Sequence, residues 1–458
     1  MIISFKTALT ALLLSPLAAQ ARPRCPTRDE REWVTIWGTM PQLCEPANLP
    51  PAPFVSLPVW CTSKSLCSLL FFCTAADLAQ NETGRVFRDA TLRQTIKVSL
   101  AASTLRLQIS NAFGGSDLPV TAVTIARAAN NTAATSGVDA DSLQVVTFSG
   151  SGGFIVPNGA IVFSDPIELS VAAQSIVSVT IYLADGQATN SVTAHPGSRT
   201  TSFLVNGDHV ADQDLGANAT RTDHWYLIGS IEAWVPKGAS AVAIVGDSIS
   251  DGRGSTTNAN NRWPDRLLAR LQAEPSTQAI AIVNEAAGGN RVLADGLGPN
   301  GLGRVDRDVI AQSGVRYAIV FIGVNDIGTT ATTAAAQEAV GDRLVAAYDQ
   351  IITRLHRFGI AVFGATITPM TGEGQTYGDP EREKTRQRVN EWIRTSGRFD
   401  GLIDFDEVVR DPAAPEKLRV EYDTGDHLHL NPAGYEAMAA GVDLALFEKF
   451  KDGVWGMT

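Results

Sequence analysis

The chain has 458 residues, enough for two or three domains of about 100–200 residues each. With 44% hydrophobic and 19% charged residues it has an ordinary globular composition. The formal net charge is −11 and no long basic run is present, which argues against a nucleic-acid partner.

At the N-terminus Lys6 precedes an apolar run, Ala8 to Leu14, followed by Ser15-Pro16 and Ala19-Gln20-Ala21. This pattern predicts a secretory signal peptide over residues 1–21, cleaved after Ala21. The run is far short of the roughly 20 residues that span a bilayer, and no later stretch is long and apolar enough. A secreted, extracellular protein without an integral membrane segment is expected. Cys25, Cys44, Cys61, Cys67 and Cys73 all fall early in the mature chain, where export favours disulfides. Their odd number predicts two bridges and one free thiol, with the pairing left open. Asn81-Glu82-Thr83, Asn130-Asn131-Thr132 and Asn218-Ala219-Thr220 are N-glycosylation sequons.

Residues 22–85 form a Cys- and Pro-rich segment joined to a β domain. An opening strand is predicted around Trp33 to Trp37, then a disulfide-stapled insertion; Trp33 and Trp37 are expected in the core. Residues 86–237 read as all-β. Leu92 to Leu100 and Leu105 to Ile109 alternate in period two and are expected to pair as a hairpin across Ala101 to Thr104. Further strands are predicted at Val120 to Ala126, Leu143 to Phe148, Ile176 to Leu183, Thr201 to Val205 and Trp225 to Trp234. Short strands divided by Gly, Asn, Asp and Pro clusters predict a β-sandwich of the jelly-roll kind.

Pro236-Lys237-Gly238 marks a boundary, and residues 238–458 alternate strands with helices. Strands are predicted at 241–245, 279–283, 317–322, 360–366 and 402–405. Helices are predicted near 262–271, 304–312, 380–395 and 432–450. Another carries the stripe Val340, Leu344, Ala347, Ile351 and Leu355. This alternation predicts a three-layer α/β/α domain around a parallel sheet.

Four stretches fall just past strand ends or before the last helix: Gly246-Asp247-Ser248, Asn284 to Asn290, Gly323-Val324-Asn325-Asp326, and Asp426-His427-Leu428-His429. In an open α/β sheet such segments converge on the carboxyl edge. Their residue types suit acyl transfer. A serine hydroxyl needs a base, histidine is the usual one, and a carboxylate fixes the tautomer of that histidine. Glycine amides and an asparagine side chain can supply oxyanion donors.

With these motifs the region from about 240 to 450 resembles the SGNH hydrolases, also called GDSL esterases and lipases. The blocks Gly246-Asp247-Ser248-Ile249, Gly288-Gly289-Asn290-Arg291, Gly323-Val324-Asn325-Asp326 and Asp426 to His429 stand in the family's order. The runs Asp251-Gly252-Arg253-Gly254 and Gly288-Gly289-Asn290-Arg291 resemble a secreted subgroup with an N-terminal β domain, and Trp33 to Thr39 with the hairpin at 92–111 resembles that β domain. The resemblance implies a flavodoxin-like three-layer fold and a carboxylic ester hydrolase that needs no cofactor or metal. It implies Ser248 as nucleophile, His429 as base and Asp426 as orienter, with Ser248, Gly289 and Asn325 as oxyanion donors.

Competing readings attach to several of these residues. Asp247 reads as a turn residue and Asp326 as a helix cap. Gly288 competes with Gly289, and the family's placement of the donor before the polar pair Asn290-Arg291 selects Gly289. His427 and His429 point the same way on an extended segment, and the family's Asp-x-x-His spacing selects His429. Asp404 or Asp406 are alternative orienters. Arg253, Asn290, Trp263 and His427 are expected to line the substrate pocket. The expected substrate is a small-molecule or polysaccharide ester, with carbohydrate deacetylation first and lipase or lysophospholipase action as the alternative. A reading of another class is a carbohydrate- or cell-wall-binding protein with a vestigial hydrolase domain; it requires a lost site residue, and none is missing from the four motifs.

Overall fold

A computed structural model describes residues 30–55 and 84–454. The expected signal peptide at 1–21, Cys25, Cys61, Cys67, Cys73 and the sequon at Asn81 lie outside the described residues. Cys44 is a buried free thiol.

The N-terminal part is built from antiparallel strands. β1 (Arg31–Gly38), β2 (Ala90–Lys97), β3 (Ala102–Ser110), β4 (Ala122–Arg127), β5 (Ile176–Leu183), β6 (Ser202–Asn206) and β7 (Ile228–Pro236) divide between two sheets. One runs β1-β7-β3 and adds Ile167–Val171 and Ile161–Phe163 on β3. The other runs β6-β2-β5-β4, with short strands at both edges. Leu92 and Ile96 of one sheet and Leu105, Leu107, Ile109 and Ile231 of the other belong to a single buried cluster. Hydrophobic alternation is satisfied by this shared interior.

The expected hairpin does not form. β2 pairs with β5 and β6, whereas β3 pairs with β7. The chain changes sheets between two adjacent residues: Val98 N–H donates to Ser175 O (3.0 Å) and Ser99 N–H to Ile36 O (2.9 Å). A period-two pattern reports which face is buried and says nothing about the partner strand.

The C-terminal part holds a parallel sheet of β8 (Ser240–Gly246), β9 (Ile280–Ala286), β10 (Val315–Phe321), β11 (Ala361–Ala365) and β12 (Gly401–Ile403). Their spatial order is β9-β8-β10-β11-β12, all parallel. In this doubly wound order, ligands bind beyond the strand ends where the winding reverses, beside the first strand. β8 is buried along its whole length, as a central parallel strand must be. The helix Ala334–His356 buries Val340, Leu344, Ala347, Ile351 and Leu355 against the sheet, the stripe read from its periodicity. The single helix expected over 432–450 is two, Pro432–Ala440 and Ala445–Lys449. Between them the Asp443 side chain accepts from Ala445 N–H (3.0 Å), and Arg270 takes the Val442 carbonyl (2.8 Å). A side chain 169 residues away in sequence from Ala439, in the last turn of the first helix, thus stabilises a break that helical periodicity hides. Among the described residues, no helix is long and apolar enough to cross a membrane.

The β domain closes the free edge of the parallel sheet. Thr39 bridges to Asn284 in parallel fashion, and Ala281 and Val283 of β9 belong to the β-domain core. Ser99 acts as a two-way plug: its hydroxyl donates to Ile282 O (3.3 Å) and accepts from Ile282 N–H (3.1 Å). An open edge strand invites non-native pairing, and this contact occupies it. Ser99→Val leaves a buried donor and acceptor unsatisfied; urea unfolding should show a loss of about 1–3 kcal/mol.

Candidate active site

Register puts the site together. Gly246 at the end of β8 lies opposite Ala286 of β9 and Phe321 of β10. The residues that follow these three therefore emerge at one edge. Gly246 leads to Asp247, whose carboxylate accepts from Ile249 N–H (3.1 Å) and starts the short helix Ser248–Asp251. Ser248 is its first residue, so its amide has no intrahelical partner.

The Ser248 hydroxyl lies 2.8 Å from His429 Nε2, and His429 Nδ1 lies 2.7 Å from Asp426 Oδ2. The tautomer follows from the partners. A carboxylate only accepts, so Nδ1 carries the proton and Nε2 is left to accept from the serine. Asp426 also receives the Leu428 and His429 amides (3.0 and 2.8 Å), which holds the loop to the carboxylate. Burial raises the Asp426 pKa, but its hydrogen bonds to His429 outweigh that and hold it well below the ordinary carboxylate value. Ser248 and His429 are 5% and 4% exposed, so their hydrogen bond is shielded from water.

Gly289 and Asn325 stand beside Ser248 in one open cleft of about 560 Å³. Gly289 adopts φ +70°, a left-handed conformation that favours glycine. Asn325 Nδ2 donates to Asn290 O (2.9 Å), which orients the amide and leaves its second hydrogen available. Tyr377 OH, 3.1 Å from Asn325 Oδ1, holds the other side. Gly323, at φ +135°, lets the chain turn into the helix bearing Asn325; a Cβ there would lie 2.4 Å from Tyr348 OH.

The remaining expectations are corrected. Trp263 does not line the cleft: it is fully buried, packs on Phe405, and donates to Ser250 Oγ (3.1 Å). The Asn290 side chain is 1% exposed and its polar atoms are used within the protein, by Leu297 O, Pro299 O and Arg304 Nε. His427, held against Asp423 Oδ2 (2.6 Å), is not part of the cleft wall. Asp326 does not cap its helix; its carboxylate grips the Val292 and Leu293 amides (2.8 and 2.9 Å) and so braces the loop after Gly289. Asp404 and Asp406 are bound by Arg394, and Asp406 also by Arg386. Arg253 does line the cleft.

Several site residues were missed by sequence reasoning. His195 of the β domain is buried, with Nδ1 3.0 Å from Met40 O and Nε2 2.9 Å from Asp251 Oδ1. Both partners are acceptors, so one proton is held between Nε2 and Asp251. This pair fastens the helix that begins with Ser248 to the second domain. Nothing around His195 in sequence, a lone histidine before Pro196-Gly197, names its partner. Tyr377 had a signal in its place: the long loop 366–379 leaves the carboxyl end of β11.

Burial pushes the Asp247 carboxyl from 3.8 up to about 7, and the Asp326 carboxyl from 3.8 up to about 6. Between pH 3.8 and about 7 the folded protein therefore holds a proton at Asp247 that the unfolded chain has released. Stability from this group is fully present below that window and is lost as the pH rises through it. Asp247→Asn keeps an oxygen for Ile249 N–H. Thermal melts across this range should show a flatter decline with rising pH than wild type; an unchanged slope rules out Asp247 as the source.

A family model described as the GDSL-like lipase/acylhydrolase family matches residues 244–437. No curated protein matches the chain. Among solved structures, the lipase/acylhydrolase from Enterococcus faecalis is 19% identical, over 48% of this chain and 100% of that one, with a TM-score of 0.34. A GDSL-like lipase from Bacteroides thetaiotaomicron VPI-5482 is 16% identical, over 46% and 90%, also at 0.34. A carbohydrate acetylesterase from Sinorhizobium meliloti is 15% identical, over 46% and 97%, again at 0.34. The domain built from residues 244–437 belongs to the GDSL-like lipase/acylhydrolase family, and the chain is a carboxylic ester hydrolase.

Proposed function

We propose that this protein is an exported serine esterase that removes short acyl groups, acetyl foremost, from carbohydrate. The observation that carries the reading is the unbroken relay Asp426–His429–Ser248, opening into a cleft whose far wall is polar β domain. Ser248 Oγ attacks the ester carbonyl carbon while its proton passes to His429 Nε2. The negative charge on the carbonyl oxygen is met by the amides of Ser248 and Gly289 and by the Asn325 side chain. As the intermediate collapses, His429 returns the proton to the alcohol oxygen, which leaves. Water then attacks the acyl-enzyme, giving one proton to His429, which passes it to Ser248 Oγ as the acid departs.

Two features support a short acyl group and a hydroxylated alcohol. Among the described residues apolar side chains at the cleft are few, chiefly Leu297, Tyr377 and Leu428, so a long acyl chain would find little surface there on which to bury. Gln42, Glu45, Asn48 and His224 present hydrogen-bonding groups from the β domain. The apolar run and the Ala19-Gln20-Ala21 site near the N-terminus support export, and the exposed Asn130 and Asn218 are available for glycosylation.

Hydrolysis of p-nitrophenyl esters tests this reading. Wild type should cleave the acetate far faster than the palmitate, and Ser248→Ala should lower kcat by on the order of 10⁴-fold or more. Equal rates on the two esters would favour lipase action; an inactive wild type, or an active Ser248→Ala, would refute the triad. Asn325→Ala should lower kcat by about 100–1000-fold with little change in KM, since its donor engages the oxyanion only as charge develops in the transition state.

A further inference from the structure

The cleft gathers charged groups from both domains, and they differ in whether the protein already uses them. Glu45 accepts from Gln42 Nε2 and from Asn48 Nδ2 (2.9 Å). Asp251 is bound by His195 through Oδ1, with Oδ2 buried without a hydrogen-bond partner among the described residues, and Asp426 by His429. The cations differ. Arg199, from the β domain, and Arg253, from the hydrolase domain, both line the cleft, and neither guanidinium has an ion-pair, hydrogen-bond or ring partner among the described residues. The Nε of Arg199 is buried without an acceptor. In a chain with 48 acidic and 37 basic residues, two unpaired cations in one cleft run against the overall balance.

Both are held at the backbone. Arg199 sits at φ +51°, and its carbonyl accepts from Asn258 N–H (2.9 Å), while Asn258 Oδ1 accepts from Thr201 N–H (2.8 Å). Arg253 N–H donates to Ser248 O (2.9 Å), and Arg253 O accepts from Tyr435 OH (2.5 Å). At the next residue, Gly254, a Cβ would lie 2.3 Å from Leu430 O. The Arg253 backbone is thus held between the helix of Ser248 and the segment that carries His429, and its side chain is exposed at the cleft. The charge of Arg199 is also felt at Tyr435, whose hydroxyl holds Arg253 O. His429 hands its proton to the leaving oxygen, so the alcohol half of an ester lies beside His429, in the cleft that Arg199 and Arg253 also line.

We infer that Arg199 and Arg253 form an anion subsite for the alcohol half of the ester, so that the preferred substrate is an acetylated sugar bearing a carboxylate, of the uronate class. The inference rests on the deacetylase reading above and narrows it. A guanidinium meets a carboxylate through two parallel hydrogen bonds, and burial of Nε lessens the water that competes for it. One arginine comes from each domain, which makes the β domain part of the specificity device.

The test compares acetylated oligogalacturonate with the same oligomer after methyl esterification, which removes the charge and keeps the sugar. Wild type should show kcat/KM higher by about tenfold or more on the charged form, and unacetylated trigalacturonate should inhibit p-nitrophenyl acetate hydrolysis better than its methyl ester by a similar factor. Arg199→Ala and Arg253→Ala should each shrink both ratios, and the double variant should bring them close to one. Arg199→Lys should restore part of the preference, and about 0.5 M NaCl should weaken it. Equal rates on the charged and methylated forms, or ratios indifferent to both substitutions, overturn the anion subsite while leaving the deacetylase reading standing. Cleavage of p-nitrophenyl acetate with no release of acetate from either oligomer or from acetylated xylotriose overturns the carbohydrate reading itself.

Discussion

The site depends on one buried cation that touches none of the reacting groups. Arg304 is 2% exposed and spends its donors on Gly246 O at the end of β8 (3.2 Å), Glu285 O in β9 (2.6 Å), Asn290 Oδ1 (3.2 Å) and Asp308 Oδ2 (2.8 Å). It ties the strand before the nucleophile to the strand before the oxyanion loop, and ties that loop to both. Asp308 supplies the opposite charge that a buried guanidinium requires. A lysine could not reproduce this fan of bonds, because the planar fork is what reaches several acceptors at fixed angles. Asn290, expected in the substrate pocket, turns out to be one of these acceptors.

A second layer of support comes from across the domain boundary. The helix that begins with Ser248 ends in Asp251, and Asp251 is gripped by His195 of the β domain. Gly197 allows that approach, since a Cβ there would fall 1.7 Å from Asp251 Oδ2. Ser99 and Thr39 hold β9 from the same side. The β domain is therefore a structural wall of the hydrolase sheet and a wall of the cleft together. The nucleophile is positioned from behind by Arg304 and from the flank by His195, a degree of bracing that suits a site whose donors must be in place before charge develops.

The parts of this arrangement that were legible in sequence share a cause. The five parallel strands are short apolar runs ended by glycine or polar turns, and the helix at 334–356 has an unambiguous stripe. Ser248, Gly289, Asn325, Asp426 and His429 stand at strand ends or before the last helix, where local pattern and chain order place them on one edge. The misread residues share a different cause. Trp263, Asn290 and His427 are close in sequence to reacting groups, but closeness in sequence is not access to the cleft. Whether a side chain turns toward a cavity or into the core depends on packing from distant elements: Phe405 for Trp263, Arg304 for Asn290 and Asp423 for His427. Sheet pairing of β2 and β3 failed to show for the same reason, because alternation encodes a buried face and not a neighbour.

From its residues alone this chain declares a parallel α/β domain, a β-rich partner, and the types of group needed to open an ester. Those properties are local: hydrophobic period, turn chemistry, and the order of short motifs along the chain. Tertiary structure alone decided which groups face one another. The 2.8 Å contact of Ser248 with His429 spans 181 residues of sequence, and the His195–Asp251 pair crosses from one domain to the other. It also left Arg199 and Arg253 without partners among the described residues in the cleft that holds the nucleophile. Such outcomes follow from three-dimensional complementarity between distant surfaces, which no single stretch of sequence contains.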